Sequence, residues 1–164
     1  MPTFKDRDRV HELADVPCPA WGAPEPLVLA NEDTLVVAYL SAGLTSGGAE
    51  SAAPTGTTIV VFHQCYAIHF GQPNDEAFAT HPADQGLRPY GAFELEHSSW
   101  LRGLETRNRA HPHHDPERFQ RLCHWVWTFR DSVLECAALD HVTMDVPGRP
   151  DEAVPRMHAL LRSS

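Results

Sequence analysis

The chain has 164 residues, of which 42% are hydrophobic, and this size and composition fit one globular domain with a single core. It carries 22 acidic against 13 basic side chains, a formal net charge of −9, and Lys5 is its only lysine. Binding to a nucleic acid backbone requires clustered Lys and Arg, so the composition excludes that function.

The start of the chain alternates charges and lacks the apolar stretch of a secretory signal. No later run of apolar residues is long enough to cross a membrane, so we expect a cytoplasmic protein that binds no membrane. The four cysteines are far apart and form no C-x-x-C pair, which predicts reduced thiols. Eleven histidines are the unusual feature, because histidine titrates near neutral pH.

Three segments near the N-terminus differ in character. Residues 1–26 contain five prolines, which predicts an irregular arm with at most a short helix over residues 8–14. Leu27–Ala30 and residues 35–41 are apolar and separated by turn-forming residues, so they predict a β-hairpin. Residues 42–56 are small and show no periodicity, which predicts a flexible loop or a lid.

The longest strand pattern covers residues 57–70. Its alternation predicts one continuous strand with a core face and a mixed face. The core face would carry Val60, Phe62, Tyr66, Ile68 and Phe70, and the mixed face Val61, His63, Cys65, Ala67 and His69. Residues 71–89 are polar and loop-like, and a segment of this length without regular structure is often functional.

The next elements are a strand and a helix. Residues 90–97 alternate as a strand, with Phe93 and Leu95 on one face. Ser98 or Ser99 then supplies the N-cap of a helix over residues 100–110.

Two further helices are predicted by their start signals. Asp115 as N-cap and Pro116 at the first helical position predict a short helix that ends near Leu122. Residues 151–161 predict a closing helix, in which proline is tolerated only near the start.

A hairpin lies between these two helices. Residues 123–130 form its first strand, and Asp131 and Ser132 are a plausible two-residue turn. The second strand could continue as far as Val146. Under this register the core face pairs Phe129 with Leu134, Trp127 with Cys136, and Trp125 with Ala138.

The opposite face of this hairpin carries polar side chains. The register pairs Thr128 with Glu135, and it places Arg130 diagonal to Glu135 on the face that also carries His124. If Glu135 lies beneath an apolar cover, its pKa would be raised and it could act as a base. If it pairs with Arg130, the two form an ordinary structural ion pair, and the sequence leaves both interpretations open.

From Phe70 to Ala137 the chain resembles a family of uncharacterised bacterial proteins. The shared pattern is FGQPNDEA, HP, GL, YGAFE, SSWL, N-x-x-HP, H, F-x-DS and EC. The resemblance implies a shared fold and allows a shared site, but it attaches no reaction to either. At position 130, where this chain has arginine, we expect histidine more often in such relatives.

The predicted loop after residue 71 contains the first candidate site. Adjacent carboxylates in Asp75 and Glu76, together with Asn74 and His81, could bind a cation or act as general acid and base. Alternatively, Asn74 and Asp75 cap a turn and Glu76 is solvated.

Two other histidine groups could hold a metal. His63 and His69 would lie about 20 Å apart along an extended strand, so they cannot share one ion. At most one of them joins Cys65 in a zinc site completed elsewhere, and the alternative is a packed or hydrogen-bonded strand histidine. Asn108 and the histidines that begin at His111 resemble a metal site, but no clear third ligand is present, and we interpret them as an exposed polar connection. The cofactor is therefore unknown, with a divalent metal as one hypothesis.

Standard nucleophile and phosphate-binding motifs are absent from the sequence. It contains no G-x-S-x-G, no G-x-x-x-x-G-K-[ST] and no H-E-x-x-H. We interpret Cys136 as a buried core residue because burial raises the pKa of a thiol.

These patterns predict an α+β domain built on a largely antiparallel sheet of about six strands, with two or three helices packed on one side. The first function hypothesis is a small-molecule-binding or acid/base enzymatic domain. The alternative is a non-catalytic acidic domain that binds or regulates a protein partner. Candidate catalytic residues are Asp75, Glu76, His81, His124 and Glu135, and candidate ligand-binding residues are Asn74, Tyr90, Asn108, His111 and Arg130.

Overall fold

The computed structural model describes residues 7–23, 25–42, 54–74, 77, 81, 83 and 86–163. Most of its regular structure is β-sheet. In chain order the elements are β1 (Arg9–Glu12), β2 (Leu27–Ala30), β3 (Thr34–Ser41), β4 (Gly56–His63), β5 (Ala67–Gly71), β6 (Gly91–Glu96), α1 (Ser99–Asn108), α2 (Pro116–Arg121), β7 (Cys123–Thr128), β8 (Val133–Ala138), β9 (Asp140–Val146), a 3₁₀ helix (Pro150–Ala153) and α3 (Val154–Ser163).

The strands form two antiparallel sheets rather than the single sheet predicted. The five-stranded sheet has the order β1-β6-β7-β8-β5, and the four-stranded sheet has the order β2-β3-β4-β9. The predicted α+β class with antiparallel pairing is confirmed, but the prediction of one sheet of about six strands is wrong.

The second sheet arises because the chain changes sheets at two points that the sequence pattern continues through. Residues 64–66 separate β4 from β5, and Gln64 adopts a left-handed φ of 49° that ends the first strand. Leu139 separates β8 from β9, and its N–H donates to the carbonyl of His63 at 3.0 Å. This hydrogen bond connects the two points at which the chain changes sheets.

The main hydrophobic core lies between the two sheets. Phe62 of β4 packs edge-on against Trp127 of β7, with ring centroids 5.0 Å apart. The Trp127 indole N–H also donates to the Tyr39 hydroxyl at 3.1 Å, so this large buried side chain leaves no polar atom unpaired. Of the predicted core face of residues 57–70, Phe62 is buried, whereas Ile68 and Phe70 are 39% and 45% exposed because they lie on the edge strand β5.

The outer faces of the sheets are covered by different elements. On the four-stranded sheet, Met157 of α3 and Ala153 pack against Ile59 and neighbouring apolar residues. On the five-stranded sheet, Leu87 packs against Phe93, and Trp100 of α1 lies against His124. Because α1 and α3 cover different sheets, the prediction that the helices share one side is wrong.

The β7 and β8 hairpin has the predicted faces but a different register. Trp127 pairs with Leu134 and Val126 with Glu135, because a four-residue loop replaces the predicted two-residue turn. In that loop the N–H of Phe129 donates to the carbonyl of Ser132 at 2.9 Å. The register differs from the prediction by two residues, an even number, so every side chain keeps its face.

Both helix starts are confirmed, and one N-terminal prediction is wrong. Ser98 caps α1 and Asp115 caps α2, with Pro116 at the first position of α2. The predicted helix over residues 8–14 is instead β1, in which Val10 pairs with Leu95 of β6. Residues 43–53 of the predicted loop lie outside the described residues.

Within the described residues, no helix has the length and apolar character needed to span a membrane.

Candidate functional site

The candidate site lies on the outer face of the five-stranded sheet, around the Glu135 carboxylate. Glu135 on β8 is opposite His69 on β5 and opposite Val126 on β7. His124 is two residues before Val126, so it lies on the same face and diagonal to Glu135. His81, from the segment before β6, completes the group.

Three histidines contact the one carboxylate. His124 Nε2 lies 2.8 Å from Glu135 Oε2, and His81 Nε2 lies 3.2 Å from Glu135 Oε1. His69 Nδ1 is farther away, 3.7 Å from Oε1. Both carboxylate oxygens of Glu135 therefore have an imidazole partner.

The partners of the second ring nitrogens fix which atoms carry protons. The Ala83 N–H donates to His81 Nδ1 at 3.0 Å, so Nδ1 is the acceptor and Nε2–H donates to Glu135. Ser98 Oγ accepts from the Leu101 N–H at 3.1 Å and lies 2.7 Å from His124 Nδ1. Because the ionised Glu135 carboxylate can only accept, His124 Nε2–H is the donor to Glu135, and in a neutral imidazole Nδ1 then accepts from the Ser98 hydroxyl.

These donors determine the charge state of Glu135. Burial raises the pKa of the carboxyl group, but the hydrogen bonds from His124 and His81 outweigh burial and lower its pKa to about 2. A raised pKa for Glu135 was one of the two interpretations that the sequence left open, and it is wrong because the residues that cover Glu135 include two N–H donors. At neutral pH Glu135 is a fixed anion rather than a general base.

The three histidines differ in their access to solvent. The side chains of His124 and His81 are 1% and 5% exposed, whereas that of His69 is 50% exposed. Within the described part of the chain, no hydrogen bond involves His69 Nε2, and the side chain is half exposed. An exposed imidazole with one nitrogen toward a carboxylate is the arrangement that enzymes use to transfer protons.

His69 and Ser98 are the residues that the sequence did not place with Glu135. His69 was grouped with His63 and Cys65, but the crossover at residues 64–66 separates them. His63 Nδ1 instead lies 2.7 Å from Asp140 Oδ1. Ser98 was predicted as a helix cap, and no sequence signal shows that its hydroxyl also contacts a histidine.

Arg130 and Tyr90 lie away from Glu135. Both line a cavity of about 20 Å³ beside the β7 and β8 loop, room for about one water molecule. The predicted diagonal pair of Arg130 and Glu135 is wrong, because the longer loop carries the exposed Arg130 past the end of the strand.

The remaining candidates have structural contacts or lie outside the described residues. Asn108 Nδ2 donates to the Tyr66 hydroxyl at 3.1 Å, and Asn108 Oδ1 accepts from His114 Nδ1 at 2.8 Å, so Asn108 ties α1 to the crossover. His111 Nδ1 accepts from the backbone N–H of His113 at 3.1 Å. The carbonyl of Asn74 accepts from the Ala77 N–H at 3.0 Å, as in a turn. Asp75 and Glu76 are not among the described residues.

Among the residues described, no group of three or more His, Cys, Asp or Glu side chains has the geometry to hold a metal ion. No protein-family model, curated protein or solved structure matches the chain. The geometry around Glu135 is therefore the basis for a functional proposal.

Proposed function

We propose that this protein is a small-molecule acid–base domain in which His69 accepts and donates the proton. Glu135 is the positioning residue for His69. The observation that carries the proposal is the half-exposed imidazole of His69 beside a buried carboxylate, with 3.7 Å between His69 Nδ1 and Glu135 Oε1.

The surroundings of Glu135 suit it to this role. Hydrogen bonds from His124 and His81 hold one oxygen each, so the carboxylate cannot rotate away from His69. Its negative charge stabilises the imidazolium that forms when His69 takes up a proton. The role also needs Glu135 to remain ionised, which follows from its pKa of about 2.

The first test uses 4-nitrophenyl acetate, whose hydrolysis is accelerated by a general base and releases a coloured product. His69 would take a proton from the attacking water and return one to the collapsing intermediate. We expect His69→Ala to lower the protein-dependent rate by at least about tenfold, since a positioned acid–base group contributes about 10²–10⁴-fold. His158→Ala, at an exposed histidine of α3, is the matched control and should keep the wild-type rate.

The proposal is wrong if His69→Ala hydrolyses the ester as fast as the wild type. Glu135→Gln separates positioning from folding. At a temperature where circular dichroism shows the variant to be folded, its rate should fall and the pH profile of that rate should change. An unchanged rate and profile would remove Glu135 from the mechanism.

A further inference from the structure

The two sheets have four edge strands, and these edges differ in how they are protected from another chain. In the five-stranded sheet the edges are β1 and β5, and in the four-stranded sheet they are β2 and β9. A strand at a sheet edge presents unpaired backbone N–H and C=O groups to which a further strand can bind. Natural proteins prevent such pairing with charged side chains on the edge or with an element that covers it.

Charged side chains protect two of the edges. β1 carries Arg9 and Glu12, and Glu12 forms an ion pair with Arg88. β9 carries Asp140 and Asp145, and both of these carboxylates are exposed. A strand that paired with either edge would remove water from these charges, which costs free energy. β1 and β9 are therefore poor sites for strand addition.

The other two edges are apolar, and only one of them is covered. Leu27 and Leu29 of β2 are partly buried against the cluster that contains Met157 of α3. β5 contains no Asp, Glu, Lys or Arg, and its Ile68 and Phe70 are 39% and 45% exposed. Among the described strands, β5 is therefore the edge that has neither charge nor cover.

The exposed apolar side chains of β5 share one face of the sheet. Ile68 lies opposite Cys136 and Phe70 lies opposite Leu134, and both of these partners belong to the main core. His69, between the two, lies on the outer face. A strand added beside β5 would extend the core face and cover both apolar side chains.

We propose that β5 pairs antiparallel with β5 of a second copy of this chain, which joins the two five-stranded sheets across a two-fold axis. Pairing centred on His69 places Ile68 of each copy opposite Phe70 of the other, and Ala67 opposite Gly71. Four large apolar side chains then lie together on one face, and the outer pairs contain only small residues. The sequence of β5 is thus complementary to itself, as a two-fold interface requires.

The charge of the chain favours β5 as the contact between copies. Each chain has a formal net charge of −9, so two copies repel each other wherever their acidic surfaces approach. Pairing through β5 adds no charged side chain from either strand to this repulsion. Added salt screens the repulsion that remains, so salt should strengthen the dimer.

The test is sedimentation velocity of the full chain from about 1 μM to about 1 mM. The mass should rise from 18.2 kDa toward twice that value. Because one strand pair makes a small interface, we expect a dissociation constant on the order of 10⁻⁵ M, and added sodium chloride should lower it. Hydrogen exchange at the same concentrations should slow at the β5 amides as the dimer forms, and should not change in β9.

Variants make the assignment specific to β5. Ile68→Lys places a charge in the contact and should raise the dissociation constant at least about tenfold. Phe70→Thr removes apolar area without adding a charge, and it serves as a second variant if the lysine disturbs folding. Val142→Lys is the matched control, because Val142 is 46% exposed on the edge strand β9, and it should leave the dissociation constant unchanged.

Four results would overturn the proposal. A chain that stays monomeric at about 1 mM would do so, as would a dimer that Ile68→Lys and Phe70→Thr leave intact. A dimer that Val142→Lys weakens equally, or that added salt dissociates, would place the contact elsewhere. Slow exchange of the β5 amides at every concentration would show that another segment of the same chain covers this edge. The dimer does not rest on the proposed acid–base function, because Ile68 and Phe70 lie on the face opposite His69.

Discussion

The two faces of the β7 and β8 hairpin are stabilised in different ways, although the same two strands supply both. On the inner face, Trp127 and Leu134 pair across the strands and pack against the second sheet. On the outer face, His124 and Glu135 are held by hydrogen bonds between polar groups. The stability that apolar packing contributes depends little on pH. The stability that a buried anion with imidazole donors contributes depends strongly on pH. Replacing residues on each face should separate the two contributions.

The largest loss of stability is expected on the inner face, for Trp127→Ala. Trp127 is completely buried and contacts Phe62, so truncation removes its packing and leaves a cavity. The expected cost is about 3–5 kcal/mol in the free energy of unfolding, measured by urea denaturation at pH 7 and again at pH 5. Trp21→Ala is the control, because Trp21 is 60% exposed and its loss should cost less than about 1 kcal/mol. Similar costs for both tryptophans would show that the core does not lie between the sheets.

On the outer face, Glu135→Gln should lower the free energy of unfolding by about 3 kcal/mol at pH 7. This value corresponds to lowering the pKa from 4.5 to about 2, at about 1.4 kcal/mol for each pH unit. Because the folded-state pKa is the lower one, the stabilisation is complete above about pH 4.5 and is lost as the pH falls toward 2. Urea denaturation of both proteins across this range should show the difference shrinking with acidity.

Glu96→Gln gives the matched control for that pH dependence. Glu96 lies 3.1 Å from His11 on the protein surface, with both side chains about half exposed, so its loss should change stability by less than about 1 kcal/mol. A Glu135→Gln cost that stays constant from pH 7 to pH 3 would contradict the ionised state assigned to Glu135.

The division between the two faces could be predicted from the sequence, but the register could not. Alternation with a period of two assigned Trp125, Trp127 and Cys136 to the core face, and a slip of two residues leaves that assignment unchanged. The turn chemistry of residues 129–132 did not reveal a four-residue loop. That error determined which residue was placed beside Glu135, so the sequence predicted Arg130 where the structure has His124.

The contact of His69 with Glu135 depends on features that no local pattern contains. It requires the chain to leave one sheet at Gln64 and enter the other at Ala67, while apolar and polar residues continue to alternate through the crossover. It also requires β5 to pair with β8, about seventy residues later in the sequence. By contrast, the cap at Ser98 is local, and for that reason the sequence predicted it.

Ser98→Ala should lower the free energy of unfolding by about 1–2 kcal/mol, less than Trp127→Ala or Glu135→Gln. It removes the N-cap acceptor for the Leu101 N–H and leaves buried His124 Nδ1 without its donor. A double-mutant cycle with Glu135→Gln tests the connection, because both residues hold His124 and their effects should not add. Ser99→Ala is the control, since exposed Ser99 bonds Asp8 instead. Strict additivity would show that Ser98 acts only as a helix cap.

The smallest change in stability is expected for His69→Ala, which tests whether His69 and His81 contribute differently to the outer face. His69 is half exposed and 3.7 Å from the carboxylate, so water replaces it readily and the cost should stay below about 0.5 kcal/mol. His81→Ala is the matched comparison, because His81 is buried and its N–H is 3.2 Å from the same oxygen, and its loss should cost about 1–3 kcal/mol. Urea denaturation of both variants at pH 7 measures the difference. If His69→Ala were as costly as His81→Ala, His69 would be a structural donor like the other two histidines, and its exposure would no longer argue for proton transfer.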